Sequence, residues 1–336
     1  MALLYRNNLD IKVVGITGSV GKTSTKETIS YVLNKKYKVL KTEGNFNNEI
    51  GLPLTVFRLR DDDEVAVLEM GISDFGEMDR LSKIAQPDIS VITNIGLCHL
   101  ENLKTRDGIL KAKTEIFNNM KPDGIAILNG DDDKLITVDE VNGKKPERFG
   151  INYKDGVYAK DIENLGLSGT KFVISGLNCV DGCKDFEVTV PVPGHHMIYN
   201  ALAAACVGAA LELTSAQIAD GITDLKTISG RNNIIKTSKY TLIDDCYNAN
   251  PVSMKASVDV LDMAIGRKVC ILGNMYELGE DEKNLHYDVG QYIGTKNIDV
   301  LITIGDLARH IAMGTDDYME THFGSYDCEI HSFVNP

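Results

Sequence analysis

Along the first 150 positions, short apolar runs alternate with stretches of helical period. The runs at 12–17, 37–41, 64–70, 88–93 and 124–128 predict strands, and the stretches near 23–34, 76–85 and 105–119 predict the helices between them. Such alternation predicts a parallel sheet covered on both faces. Val65, Ala66, Val67 and Leu68 are apolar without interruption, as a central strand buried on both sides requires. Between about 145 and 190 the helical period disappears, and segments at 157–159, 171–175 and 186–190 predict a small antiparallel sheet packed on the first unit. Pro191, Pro193 and Gly194 then break the chain before a helix of small residues at 195–211 and a shorter one at 215–222. Gly230 and Arg231 mark a boundary. Beyond them, strands at 240–244, 268–272 and 300–304 and helices near 251–265, 281–294 and 306–313 predict a second doubly wound unit. The run 329–336 enters a strand with no closing helix. The expected architecture is α/β in two units, 1–229 and 230–336, the second Rossmann-like and incomplete.

Composition narrows the class. With 336 residues and 43% hydrophobic content the chain can bury a substantial core. No apolar run approaches the roughly 20 residues of a membrane span, and the N-terminus lacks a basic stretch followed by a long apolar one, so a cytoplasmic monomer is expected. The seven cysteines include no C-x2-C pair and read as free thiols, not as a disulfide framework or zinc site. A net charge of -13 argues against nucleic acid, because backbone phosphates are bound by lysine and arginine. Any anionic ligand must instead meet local cations or Mg²⁺.

The candidate chemistry starts where the first strand meets the first helix. There Gly15-Ile-Thr-Gly-Ser-Val-Gly-Lys-Thr-Ser forms a glycine-rich turn ending in Gly21, Lys22 and Thr23. In this context Gly18, Ser19, Val20, Gly21, Lys22, Thr23 and Ser24 read as a phosphate-binding loop: backbone N–H groups and the positive helix end surround the anion. Lys22 reaches the β and γ phosphates and the Thr23 hydroxyl serves Mg²⁺. The common spacing needs glycine at position 16, where Ile16 stands, so the loop is a variant. A plain glycine turn with a solvated lysine is the alternative.

Further polar residues fall at strand ends, where open α/β sheets bind ligands. Glu69 interrupts an apolar strand at its end, either as a Mg²⁺ ligand or as a salt-bridged acid. His99 follows the strand at 88–93. Lys113 stands three and four positions from Leu110, Ile109, Ile116 and Phe117, so it shares their apolar face. It either snorkels to solvent or is desolvated, with a lowered pKa that permits a carbamate to form with CO₂. His196 and Asn200 lie one helical turn apart and suit a base or ribose, or a helix cap. At 244–251, Asp-Asp-Cys-Tyr-Asn-Ala-Asn-Pro places Asn248 and Asn250 where carboxamides can read adenine or build an Asx turn.

Taken together, these residues resemble the Mur ligases. The matching stretches are Ile-Thr-Gly-Ser-Val-Gly-Lys-Thr at 16–23, Asn-Phe-Asn-Asn-Glu-Ile-Gly-Leu-Pro-Leu-Thr at 45–55, Glu-Met-Gly at 69–71, Thr-Asn-Ile-Gly at 93–96 with His99, Ala-Lys-Thr-Glu-Ile at 112–116 and Asn-Gly-Asp-Asp at 129–132. They continue with Pro193, Gly194, His196, Asn200, Gly230, Arg231, Asp244, Asp245, Tyr-Asn-Ala-Asn-Pro at 247–251 and Glu-Leu-Gly at 277–279. The resemblance implies a P-loop ATPase-like central domain and an ATP-dependent, ADP-forming amide ligase of peptidoglycan precursor synthesis. It implies that Lys22 and Thr23 serve ATP and a first Mg²⁺, that Glu69 binds Mg²⁺, and that His99 and a carbamylated Lys113 hold a second. His196, Asn200, Asn248 and Asn250 would line the adenosine side, with Arg231 near the phosphates. The stretch at 247–251 favours D-alanyl-D-alanine and UDP-MurNAc-tripeptide as substrates over the folate of the related folylpolyglutamate synthases; a nucleotide-binding fragment without ligase activity is the other alternative. The family has an N-terminal domain that binds the uridine nucleotide, whereas this chain starts almost at the phosphate loop and lacks the end of the C-terminal domain. It also carries Asn274 where the family usually has Asp.

Overall fold

The apolar runs of the first 150 residues become strands of one sheet, and the computed structural model describes residues 1–323 and 328–334. The strands of the first unit are β1 (Lys12–Thr17), β2 (Val39–Lys41), β3 (Val65–Glu69), β4 (Ile89–Ile92), β5 (Ile125–Asn129), β6 (Glu147–Gly150), β7 (Val157–Asn164), β8 (Thr170–Ser175) and β9 (Asp185–Val190). Its helices are α1 (Ala2–Arg6), α2 (Lys22–Leu33), α3 (Gly51–Val56), α4 (Glu77–Ala85), α5 (Leu100–Leu103), α6 (Arg106–Thr114), α7 (His196–Ala210) and α8 (Ser215–Thr223). The strand order is β2-β3-β1-β4-β5-β6-β7-β8-β9. Pairing is parallel as far as β7 and antiparallel between β7, β8 and β9.

The antiparallel strands therefore exist as expected but sit differently. They extend the main sheet edge to edge instead of packing on the unit. The joint is β6, a four-residue strand too short and polar to read from sequence, which pairs Phe149 with Val157 and Gly150 with Tyr158. An edge left at β6 would expose unpaired N–H and C=O groups, and β7 satisfies them.

Both faces of the parallel sheet are covered. Val65 and Val67 of β3 turn to α2, α7 and α8, while Ala66 and Leu68 turn to α3, α4 and α6. All five β3 residues are buried, which is why the run carries no polar alternation. Helix α7 lies on β5, β6 and β7 beside α2, and its small residues let it approach both closely. At Gly221 of α8 a Cβ would stand 2.4 Å from the Val32 Cα, so only glycine permits that approach. The short helices α1 and α3 escaped the periodicity; α1 is held by Arg6, whose buried guanidinium donates to the Ala85, Leu9 and Ile11 carbonyls.

The second unit contains β10 (Asn233–Lys236), β11 (Thr241–Asp244), α9 (Pro251–Asp262), β12 (Val269–Leu272), α10 (Glu282–Gly294), β13 (Val300–Ile304), α11 (Arg309–Phe323) and β14 (Glu329–Phe333). Strands β12, β13 and β14 form a parallel sheet in that order. The strand expected at 240–244 does not join it: β11 pairs antiparallel with β10, and Gly230 N–H and Asn232 N–H donate to the Asp244 and Asp245 carboxylates. The helix expected at 306–313 starts later and runs further, because buried Thr315 occupies an inward position that polarity patterns assign to solvent. Of the final run, Asn335 and Pro336 lie outside the described residues. All seven cysteines are free. Among the described residues no helix is long and apolar enough to cross a membrane.

Candidate functional site

The turn between β1 and α2 is held by the loop that follows β4. Ser19 N–H donates to the Asn94 carbonyl (3.0 Å) and Val20 N–H to Asn94 Oδ1 (3.0 Å). The Val20 carbonyl accepts from Thr93 Oγ1 (2.7 Å) and Asn94 Nδ2 (2.9 Å). Gly18 lies so close to β4 that a Cβ would stand 1.9 Å from Thr93 Oγ1, and Gly21, at φ 83°, is the left-handed N-cap of α2. These two glycines let the backbone arch over the helix N-terminus. Lys22 folds back over the arch, its ammonium donating to the carbonyls of Gly18 (2.9 Å) and Ser19 (3.3 Å). Burial pushes its pKa down and Glu69 opposes that shift. Thr23 and Ser24 open the first turn of α2 beside it. Thr93 and Asn94 as a clamp could have been suspected from sequence, being the first polar pair after an apolar strand.

Glu69 ends β3 at 2% exposure. Its Oε1 accepts from Asn47 Nδ2 (2.8 Å), whereas the buried Oε2 has no hydrogen-bond partner. The nearest cation to that oxygen is Lys26, on the second turn of α2, at 3.7 Å. Lys26 is itself 1% exposed and shares Glu27 with Lys41. Sequence reasoning passed over Lys26 and Asn47, since a lysine in a helix and an asparagine in a loop are ordinarily solvated. A carboxylate oxygen left without a partner beside a cavity is chemically suited to a hard cation.

Lys113 is buried at 1% exposure, with Ile109 and Ala112 of the same helix face fully covered, as its spacing predicted. Burial, and then the charge of Lys22, push its pKa down to about 7. It does not snorkel. His99, at φ 50°, is the N-cap of α5, and its Nδ1 lies 3.0 Å from Glu277 Oε2 of the second unit. Burial lowers the His99 pKa and Glu277 raises it in part. Among the described residues no three His, Cys, Asp or Glu side chains already form a metal cluster. Mg²⁺ commonly takes one or two protein ligands and completes its shell with phosphate and water, so sparse donors around a phosphate loop suit it.

One cavity of about 1060 Å³ joins these groups and spans both units. Ser19, Val20, Gly21, Lys22, Thr23, Ser24, Glu69, His99, His196, Asn200, Arg231, Asn248 and Asn250 line it, whereas Gly18 and Lys113 stand behind the wall. Asn200 reaches the phosphate loop itself: its Oδ1 accepts from Thr25 Oγ1 (2.9 Å) and lies 3.5 Å from where a Gly21 Cβ would stand. Burial lowers the His196 pKa, leaving the ring neutral near pH 7. Arg231 stacks on the Tyr247 ring at 4.2 Å. Asn250 caps α9, its Oδ1 accepting from Val252 and Ser253 N–H, so only its NH₂ stays available for a ligand; Asn248 is exposed. Asp131 lines the cavity as well. It receives the N–H groups of Ile151, Asn152 and Tyr153 and the Tyr199 hydroxyl, tying the β6–β7 turn and α7 to the cavity wall.

Residues 16–208 match the Mur ligase middle domain and residues 230–326 the Mur ligase, glutamate ligase domain. A UDP-N-acetylmuramoyl-tripeptide–D-alanyl-D-alanine ligase of Bacillus subtilis is 40% identical over 323 residues, covering 95% of this chain and 68% of that protein. The chain thus spans about two thirds of that relative's length. A crystal structure of MurF from Acinetobacter baumannii superposes with a TM-score of 0.86 at 31% identity, over 99% of this chain and 76% of the other. MurF ligase from Thermotoga maritima in complex with ADP superposes at 0.82 with 29% identity, over 99% and 78%.

Proposed function

The chain belongs to the Mur ligase family, and from that premise we propose that it joins D-alanyl-D-alanine to UDP-N-acetylmuramoyl-tripeptide at the expense of ATP. The observation that carries this reading is the cavity in which the glycine turn with Lys22 and Thr23, the Glu69 carboxylate whose Oε2 has no hydrogen-bond partner, and His99 converge. ATP is the nucleotide of the family. We read residues 1–229 as the ATP-binding unit and residues 230–336 as the C-terminal unit, in line with the two matched domains. The nucleotide substrates place the reaction in the cytoplasm.

A carboxylate of the tripeptide attacks the γ phosphorus of ATP, and the bond to the β-γ bridging oxygen breaks, giving an acyl phosphate and ADP. The amine of D-alanyl-D-alanine then adds to the activated carbonyl, and phosphate leaves as the amide forms. Lys22 follows the β and γ phosphates, and the N–H groups at the α2 N-terminus donate to their oxygens. Asn94 and Thr93 hold that arch in place. Thr23 and Glu69 are suited to a first Mg²⁺, and His99 with a carbamylated Lys113 to a second. Bound there, Mg²⁺ supplies charge neutralisation for the transferring phosphoryl group. At a pKa of about 7 the Lys113 amine is largely neutral in weak base, the form that adds to CO₂. His196, Asn200 and the free amide of Asn250 face the nucleoside, with Arg231 toward the phosphates. Catalysis then rests on positioning and electrostatics.

Phosphate release from Mg-ATP, measured with each of the two acceptor substrates omitted in turn, tests this. Release that requires both is expected, with Lys22→Ala as the inactive, folded control. Release indifferent to D-alanyl-D-alanine, or undiminished in Lys22→Ala, overturns the reading.

A further inference from the structure

His99 and Glu277 are both non-glycine residues in the left-handed region, at φ 50° and 62°, and they face each other across the boundary between the two units. Their contact, Nδ1 to Oε2 at 3.0 Å, is the only ion pair among the described residues that links the two units. A partly exposed ion pair contributes little stability by itself, and a glutamate at positive φ costs backbone strain that glycine would avoid. The side chain held there is directed at the His99 ring.

The segment that presents it is also built to hold still. Met275 and Leu278, on either side of Glu277, are buried in the core of the second unit. Met275 N–H donates to Nε2 of the fully buried His286 (2.9 Å), and Asn274 Oδ1 accepts from Leu307 and Ala308 N–H. Glu277 therefore projects from a fixed loop, 66% exposed, toward a histidine of the cavity wall.

A carboxylate on Nδ1 sets the histidine tautomer. With Nδ1–H donating to Glu277, the Nε2 lone pair is free for a cation and the ring is locked in direction, the arrangement by which outer carboxylates orient histidine ligands. We propose that Glu277 is the positioning residue for His99, so that the metal position offered by His99 Nε2 is complete only when the second unit has closed on the first. This rests on the reading of His99 as a ligand of the second Mg²⁺. Closure and occupancy then favour each other by one and the same factor.

The test uses the full chain with Mn²⁺ and a non-hydrolysable ATP analogue. Mn²⁺ sites are counted by electron paramagnetic resonance titration, and the His99 tautomer is read from its ¹⁵N ring shifts in a parallel sample with diamagnetic Mg²⁺. Wild type is expected to bind two Mn²⁺, and in the Mg²⁺ sample to hold His99 as the Nδ1–H form. In Glu277→Ala the weaker site should lose about 10- to 100-fold in affinity and the tautomers should mix, while the tighter site stays within about twofold. Glu277→Gln, whose amide oxygen still accepts from Nδ1–H, should recover much of the loss. Glu277→Gly relieves the positive φ, so it should melt no lower than wild type and still lose the site, which separates positioning from folding. Two sites in wild type that persist unchanged in Glu277→Ala overturn this inference alone. Lost affinity with an unchanged tautomer overturns it in favour of direct ligation by Glu277. A single site in wild type overturns both this inference and the metal role of His99, leaving ATP-dependent ligation to be judged by phosphate release.

Discussion

Replacing Gly18 with alanine should cost the phosphate loop its shape. The added Cβ would stand 1.9 Å from Thr93 Oγ1, far inside contact distance, and Gly18 has φ 149°, a backbone conformation that L side chains rarely adopt. The strain costs about 1–3 kcal/mol. Relieving the overlap requires Thr93 to turn away, and its hydroxyl then gives up the 2.7 Å bond to the Val20 carbonyl, which adds about 1 kcal/mol. Together these predict about 2–4 kcal/mol of destabilisation or, where the loop yields locally, an equivalent loss of ATP affinity. Urea denaturation and ATP titration calorimetry on the same preparation separate the two. Thr93→Ala alone should cost about 1 kcal/mol through its lost bond. The double substitution should cost clearly less than the sum, because the first alanine no longer meets an oxygen. Additive single effects, or a Gly18→Ala protein within about 0.5 kcal/mol of wild type in both measurements, would refute the steric argument.

Gly221→Ala places its Cβ 2.4 Å from the Val32 Cα, so chemical denaturation should show a loss of about 1–3 kcal/mol, with ATP affinity of the folded fraction unchanged. Lys113→Met should abolish substrate-dependent phosphate release while keeping or raising the melting temperature, since a desolvated amine is exchanged for an apolar chain of similar volume; a lower melting temperature contradicts the burial argument. His286 accepts from Met275 N–H at Nε2 and its Nδ1 is bonded to the Glu282 carbonyl, so it is neutral, and burial pushes its pKa down. The unfolded chain then binds the proton more tightly, and this contribution to stability, present above about pH 6.5, should be lost as pH falls below it; urea midpoints of wild type and His286→Gln should converge in acid, and parallel profiles would contradict this.

Local sequence determined most strands, most of the longer helices and the glycine turn from β1 to α2, because apolar periodicity and glycine placement are short-range signals that burial and backbone sterics read directly. The uninterrupted run of β3 and the turn from β1 to α2 appear in the structure where the pattern put them. Lys113 was legible for the same reason: three- and four-residue spacing is enough to assign a helix face. The short strand β6 and the helices α1 and α3 were not, since four to six residues hold too little of a period. Nor was the pairing of β11, which folds back on the unread strand β10 while Asp244 and Asp245 take the Gly230 and Asn232 N–H groups, and so stays out of the β12–β14 sheet. At the site, the residues that line the cavity beside the β1–α2 turn were readable in sequence, but their support was not. Asn94 on the loop, Asn47 on Glu69 and Glu277 on His99 each act across 22 or more residues of chain. Lys26 looked like a surface lysine until packing of α2 closed over it. Periodicity carries which side of an element is buried; which polar atom is left without a partner depends on everything folded around it, and only the tertiary structure decides that.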